Sequence, residues 1–229
     1  MAKFHFIEDY EKHVDNLVAA HPIDEAMALA VGGDYDGVGK IETAILKAAG
    51  LKSGMSVFDL GCGSGRLAAM LGQEDGRIEY LGTDVVQALL DYAATKTPEH
   101  YRFIRHLSLS VPAEDASIDI ACAFSVFTHL LHHETYIYLE DMKRALKPGG
   151  KVVFSFLEFA SPGHWNVFDA TIAYARGSDT PHLNQFIERN VINLWAKNLG
   201  FEVERYIEGG ERVGGGAPLG QCTVILRKI

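Results

Sequence analysis

Between Met55 and Leu71 an apolar strand pattern runs into closely spaced glycines and emerges as a helix pattern: MSVFDL, then GCGSG, then RLAAML. A strand that passes straight into a helix through so short a turn is the first half of a βα unit. Such a strand buries both faces only inside a parallel sheet covered by helices. The corner at Gly61, Gly63 and Gly65 therefore constrains the fold class before any other feature does.

The same alternation recurs downstream. Ile78–Thr83 reads as a second strand ending at Asp84, and Val86–Ala94 follows with helical spacing. Tyr101–Arg105 and Ile118–Ala123 read as the third and fourth strands, the fourth apolar on both faces apart from Asp119. Glu134–Leu146 carries Tyr138, Leu139, Met142, Ala145 and Leu146 on one helical stripe, and Lys147-Pro148-Gly149-Gly150 ends it. Lys151–Phe156 is the fifth strand. Ile192, Trp195, Ala196 and Leu199 mark a further helix, closed by Gly200, before a sixth strand at Phe201–Tyr206 and a seventh at Cys222–Arg227. The Gly-rich connection GGERVGGGAPLG has no room for a crossover helix, so the last two strands are expected to pair antiparallel. Ahead of the first strand, Val38–Ala49 places Ile41, Ile45 and Ala48 near one stripe, with Asp36 as expected cap and Gly50 as stop.

The expectation is an α/β fold of Rossmann-like form: a seven-stranded sheet, mostly parallel, with an antiparallel C-terminal hairpin and helices on both faces. A chain of 229 residues, 48% hydrophobic and 22% charged, supports one such domain. Residues 1–36 are read as an N-terminal helical extension that serves as a lid, and 37–229 as the main domain with an insertion near 159–189. The net charge of -9 argues against a partner whose phosphates must be neutralised, so nucleic acid is not the expected partner. Cys62, Cys122 and Cys222 are far apart without CxxC spacing and read as buried thiols in a reducing cytoplasm. The N-terminal residues lack an apolar signal region, and no stretch reaches the roughly 18 apolar residues of a membrane span. The oligomeric state is left open.

The glycine corner also carries the chemistry. Backbone bare of Cβ atoms lets a ligand rest on the main chain, and Asp59 ends the first strand where open α/β sheets bind ligands. Its carboxylate suits an ammonium group or the loop amides. About twenty residues on, Asp84 ends the second strand, where an acid accepts hydrogen bonds from ribose hydroxyls. A dinucleotide site needs GxGxxG, but Arg66 stands at the third glycine's position and Gly65 arrives one residue early, which favours an adenosine ligand without pyrophosphate. There is no GxxxxGK[ST] phosphate loop.

At these residues the chain resembles the class I S-adenosylmethionine-dependent methyltransferases, whose first motif D-x-G-x-G-x-G matches Asp59, Gly61, Gly63 and Gly65. The resemblance runs from about Gly50 to Phe159 and more loosely to the last strand. It implies S-adenosylmethionine as cofactor, with S-adenosylhomocysteine as product. It assigns cofactor contacts to Asp59, to Gly61, Cys62, Gly63, Ser64 and Gly65, to Asp84 at the ribose and Val85 at adenine, to His106 and Leu107 bordering adenine, and to Phe124 and Ser125 at the methionine half. The segment AFSVFTHL lacks the [DN]-P-P-[YF] of enzymes that methylate exocyclic or glutamine amides, which with the acidic charge points to a small-molecule acceptor, methylated at oxygen or nitrogen.

A preformed sulfonium needs little acid catalysis, so most of the acceleration is expected from alignment and desolvation. Should the acceptor be a hydroxyl, His129, just past the fourth strand, is the candidate base. His129, His132 and His133 share helical spacing, but no metal site is expected from spacing alone. Tyr35, and His164, Trp165 and Tyr174 in the insertion, are candidates for shaping the acceptor pocket. The alternatives are a nicotinamide-dependent oxidoreductase and a non-catalytic cofactor-binding protein.

Overall fold

Two helices, α1 (Ile7–Ala20) and α2 (Ile23–Ala30), precede a run in which helices and strands alternate. The run comprises α3 (Tyr35–Ala48), β1 (Ser56–Leu60), α4 (Arg66–Gly72), β2 (Glu79–Asp84), α5 (Gln87–Thr95), β3 (Arg102–Arg105) and β4 (Ile118–Ala123). It continues through α6 (His132–Ala145), β5 (Leu146–Phe156), α7 (Trp165–Gly177), α8 (Arg189–Leu199), β6 (Phe201–Ile207) and β7 (Cys222–Lys228). This computed structural model describes residues 7–73, 77–177 and 184–229. Residues 1–6 of the expected extension and 178–183 of the expected insertion lie outside the described residues.

The strands form one seven-stranded sheet in the order β3-β2-β1-β4-β5-β7-β6. β1 to β5 pair in parallel and β7 pairs antiparallel with both β5 and β6, so β7 alone runs against the others. The Rossmann-like expectation and the antiparallel hairpin are both met. Strand order reverses between β1 and β4, which opens a crevice at their carboxyl ends.

Period-two alternation divides the core into two layers. Phe58 and Leu60 of β1 and Val152, Phe154 and Phe156 of β5 join Leu139 and Met142 of α6 and Ile192 and Ala196 of α8 on one face. Val57 and Val153 face the other way, against Ile41, Ile45 and Leu46 of α3 and Leu67 and Leu71 of α4. Both layers hold β1 rigidly, and with it the start of the glycine loop. No helix among the described residues is long and apolar enough to cross a membrane.

Three element starts differ from expectation by two residues or more. The cap of α3 is Asp34, not Asp36: its carboxylate accepts from the Gly37 amide at 3.1 Å, so the helix starts at Tyr35. α6 starts at His132 because Glu134 accepts from the Leu131 amide at 2.7 Å and fixes the first turn. β5 starts at Leu146, which pairs with Ile118, whereas Lys151 pairs with Ile120. The Lys-Pro-Gly-Gly turn is thus a bulge within the strand, held where the Lys147 ammonium meets Asp119 at 2.7 Å.

Candidate functional site

The glycine loop follows β1 with positive φ at Gly61 (66°), Gly63 (55°) and Gly65 (83°). Close approach as well as conformation demands glycine here. A Cβ on Gly61 would lie 2.5 Å from a methyl of Val126, and one on Gly63 2.6 Å from a methyl of Val31. Val126 belongs to the turn after β4, across the crevice, and Val31 to the end of α2. The loop therefore packs against side chains from both neighbours.

Asp59 is almost fully buried, and its carboxylate accepts from the Tyr80 hydroxyl at 2.5 Å and from the Cys122 thiol at 3.5 Å. It meets neither the loop amides nor solvent, contrary to expectation. Burial is the main cause that pushes its carboxyl up to about 7, against the opposing hydrogen bond from Tyr80. The reason lies in the strand's alternation: Asp59 shares the face of Val57, so it points into the layer of α3 and α4 beside Tyr80 of β2 and Cys122 of β4.

Asp84 does reach the loop. Its Oδ2 accepts from the Gly63 amide at 2.9 Å and its Oδ1 from the Val86 amide at 3.0 Å. Burial raises its carboxyl, while the Val86 and Gly63 amides pull the other way. The end of β2 is thereby tied to the middle of the glycine loop, a contact that the spacing of the two motifs did not announce.

The remaining loop side chains turn inward. Cys62 is buried and its amide donates to the Thr83 carbonyl at 2.9 Å, and Ser64 Oγ donates to the Met27 carbonyl at 2.9 Å. Both residues are buried, so neither side chain is presented to a ligand. Val85 is half-buried, and the His106 amide donates to the Asp84 carbonyl at 3.0 Å, which brings His106 and exposed Leu107 beside the end of β2.

Across the crevice, Phe124 packs into the layer under α3 and α4. Ser125 adopts φ 58°, unusual for a residue with a Cβ, and its amide donates to Ser155 Oγ at 2.7 Å, which in turn donates to Gln221 at 2.6 Å. That relay holds the turn after β4 open toward the carboxyl face. His129 is half-buried in the 3-10 turn Phe127–His129. The histidines do not converge: among the described residues His129, His132 and His133 form no group within metal-ligand reach, and His132 Nε2 lies 3.0 Å from the Phe186 carbonyl oxygen.

The N-terminal helices close over the loop. Arg66 donates to the Val31 carbonyl at 2.6 Å and to buried Glu42 at 2.6 and 3.0 Å, the Tyr35 hydroxyl donates to the Ser64 carbonyl at 2.9 Å, and Tyr10 donates to the Ala30 carbonyl at 3.1 Å. Arg66, met in the sequence only as a missing glycine, is the residue that staples this layer down.

A sequence profile described as "Methyltransferase domain" matches residues 58–154, from β1 through the glycine loop, Asp84 and the turn after β4 to β5. Those 97 residues match a methyltransferase domain. A probable S-adenosylmethionine-dependent methyltransferase of Mycolicibacterium smegmatis is 29% identical over 157 residues, 66% of this chain and 54% of that protein. A demethylmenaquinone methyltransferase of Deinococcus radiodurans is 34% identical over 110 residues, 46% of this chain and 44% of that protein. The chain thus spans about half the length of these curated relatives. The crystal structure of magnesium protoporphyrin IX methyltransferase from Synechocystis with bound SAH superposes with a TM-score of 0.67 over 98% of this chain and 96% of that one, at 16% identity. That likeness extends the shared fold beyond the matched domain, through α1 and α2 and the antiparallel hairpin.

Proposed function

We propose that this protein transfers a methyl group from S-adenosylmethionine to a small-molecule acceptor, at oxygen or nitrogen, in the cytoplasm, and releases S-adenosylhomocysteine. The observation that carries this reading is Asp84, at the end of β2, bound to the Gly63 amide of the loop that leaves β1 beside the switch point, within the stretch matched by the methyltransferase profile. The names of the similar proteins, acting on demethylmenaquinone and magnesium protoporphyrin IX, support a small-molecule acceptor. Three buried, unbridged cysteines support a reducing compartment.

The residues present fit the cofactor. Each Asp84 oxygen takes one amide hydrogen bond, and a carboxylate offers about four acceptor positions, so two remain for ribose hydroxyls. Val85, His106 and Leu107 offer the border for adenine. The main chain of Gly61–Gly65, with Phe124 and Ser125, offers the border for the methionine half. When bound, the cofactor supplies an electrophilic methyl on a sulfonium.

What this chain contributes is alignment and exclusion of water. In this reading α1 and α2 are a lid: Val31 and Tyr10 withdraw to admit the nucleoside and return over it. Residues 37–229 form the catalytic domain, with the 159–189 insertion on the acceptor side. For a hydroxyl acceptor His129 takes the proton, a contribution of about a hundredfold to ten-thousandfold.

Melting of the purified protein tests the cofactor. Millimolar S-adenosylhomocysteine should raise the Tm, since a ligand that binds only the folded state stabilises it, and NADH should not. A rise with NADH and none with S-adenosylhomocysteine would favour the oxidoreductase reading. Binding without methyl transfer to any acceptor would favour a non-catalytic cofactor protein.

A further inference from the structure

Every exposed phenylalanine, tyrosine and tryptophan among the described residues lies in one short stretch: Phe159, Trp165 and Tyr174, at 39%, 46% and 55% exposure. α7 carries Trp165, Val167, Phe168, Ile172 and Tyr174, yet buries none of its side chains. An amphipathic helix of this composition ordinarily presses its apolar stripe into a core. Here the rings pack on one another instead. Phe159 and Phe186 stack with centroids 4.2 Å apart and planes 8° from parallel, Phe168 stands edge-on to both, and Trp165 lies 5.4 Å from Phe168. Rings held in this way offer large contact faces at little further entropic cost.

The cluster is fixed beside the crevice. The Gln185 amide donates to the Thr128 carbonyl at 2.7 Å and the Ile187 amide to the Leu157 carbonyl at 2.7 Å. The strand segment around Phe186 thus lies along the end of β5 and against the turn that holds His129, on the side of the crevice away from Asp84. A cavity of about 540 Å³ adjoins the cluster through Glu188, whose carboxylate accepts from the Phe159 amide at 2.7 Å; Glu158, Arg189 and Glu208 also line it, and the rings themselves do not. Arg189 pairs with two of these acids: Nε and Nη2 donate to buried Glu158, and Nη2 also lies 2.7 Å from Glu208. Three carboxylates against one guanidinium leave the rim negative.

We propose that the ring cluster and this cavity are the acceptor site, and that the acceptor is a flat, ring-bearing molecule that is neutral or cationic, not phosphorylated or polycarboxylated. This rests on the methyltransferase reading above. Flatness matches the stacked rings, and the charge limit follows from the carboxylate rim, which would also repel an anionic lipid surface.

The test titrates the protein with a neutral naphthalene ketone fluorophore, 6-propionyl-2-dimethylaminonaphthalene, and with the anionic 8-anilinonaphthalene-1-sulfonate. S-adenosylhomocysteine affinity is followed by calorimetry on the same samples. Trp165→Ala and Phe159→Ala, both at exposed positions, should keep a native circular dichroism spectrum. Each should weaken the neutral probe about fivefold or more, the loss of one ring contact, with S-adenosylhomocysteine affinity unchanged. The sulfonate should bind the parent about tenfold more weakly than the ketone. Equal affinity of parent and both variants for the neutral probe would overturn the proposal, as would tighter binding of the sulfonate, or a dimer in solution that Trp165→Glu dissociates. Should the neutral probe respond as expected while S-adenosylhomocysteine fails to bind at all, the ring site stands and the methyltransferase reading falls.

Discussion

Asp59 and Asp84 show how far two residues that read alike in sequence part in structure. Both end a strand, yet Asp59 turns into the layer against Tyr80 and Cys122, while Asp84 turns out to the glycine loop. Because Asp84 also holds the loop together, loss of ligand affinity in Asp84→Ala does not by itself separate a ribose contact from a collapsed turn. Asp59 is the cleaner probe. Its carboxyl stands near 7 in the folded protein against an ordinary value of 3.8, so as pH rises from 4 the unfolded chain releases a proton that the folded one retains. Asp59 therefore contributes stability below pH 4 that is lost progressively up to pH 7, in all roughly 4 kcal/mol at about 1.36 per pH unit. Asp59→Asn keeps an acceptor for Tyr80 without the charge. Denaturant melts from pH 4 to 8 should show the parent falling relative to this variant up to pH 7 and running parallel above it. Parallel curves throughout would mean that Asp59 ionises as an ordinary surface acid.

The elements legible in sequence were those whose signal is local. The strand–Gly–helix corner, the apolar run of β4 and the Gly-rich connection before β7 announce themselves through backbone requirements that neighbouring residues alone satisfy. What stayed hidden depended on contacts between distant segments. Val126 and Val31 cover the loop from either side; Val126 sits in the AFSVFTHL segment that the resemblance marks, but neither valine carries a local signal for its contact with the glycines. Arg66 and Glu42, on α4 and α3, are plain helix residues until the fold brings them to 2.6 Å with Glu42 almost fully buried and Arg66 nearly so. Burial raises the Glu42 carboxyl and the Arg66 guanidinium counters it. Removing only the cation leaves a buried carboxylate without its partner, so Arg66→Ala should cost about 3–5 kcal/mol. The double change Arg66→Met with Glu42→Met should cost much less than the single one. If the two losses simply add in a double-mutant cycle, the pair is not the joint between α3, α4 and the end of α2.

At the scale of the molecule, stability is distributed unevenly, and the unevenness falls where the proposed activity needs motion. The sheet lies between two continuous apolar layers, whereas α1 and α2 rest on a small cluster of Val14, Met27, Ala30, Val86 and Leu89. Polar ties at the rim supplement it: Glu11 to Arg105 at 2.7 Å, and Asp24 to Tyr92 and Lys96 at 2.7 and 2.9 Å. The rim ion pairs are largely exposed, so solvent screens them and they add little. Such a layer opens at a lower free energy than the strands beneath it, and the loop below, with Asp84 and Ser64 buried by it, becomes reachable only when it does. Amide hydrogen exchange should therefore be faster over 10–30 than over β1, β4 and β5 in the free protein. S-adenosylhomocysteine should slow the 10–30 amides more than those of the strands, since a ligand beneath the lid adds contacts to its closed form alone. Exchange in 10–30 as slow as in the strands, or a ligand that protects the strand ends while leaving 10–30 untouched, would remove the lid from the proposed function and leave α1 and α2 as fixed structure.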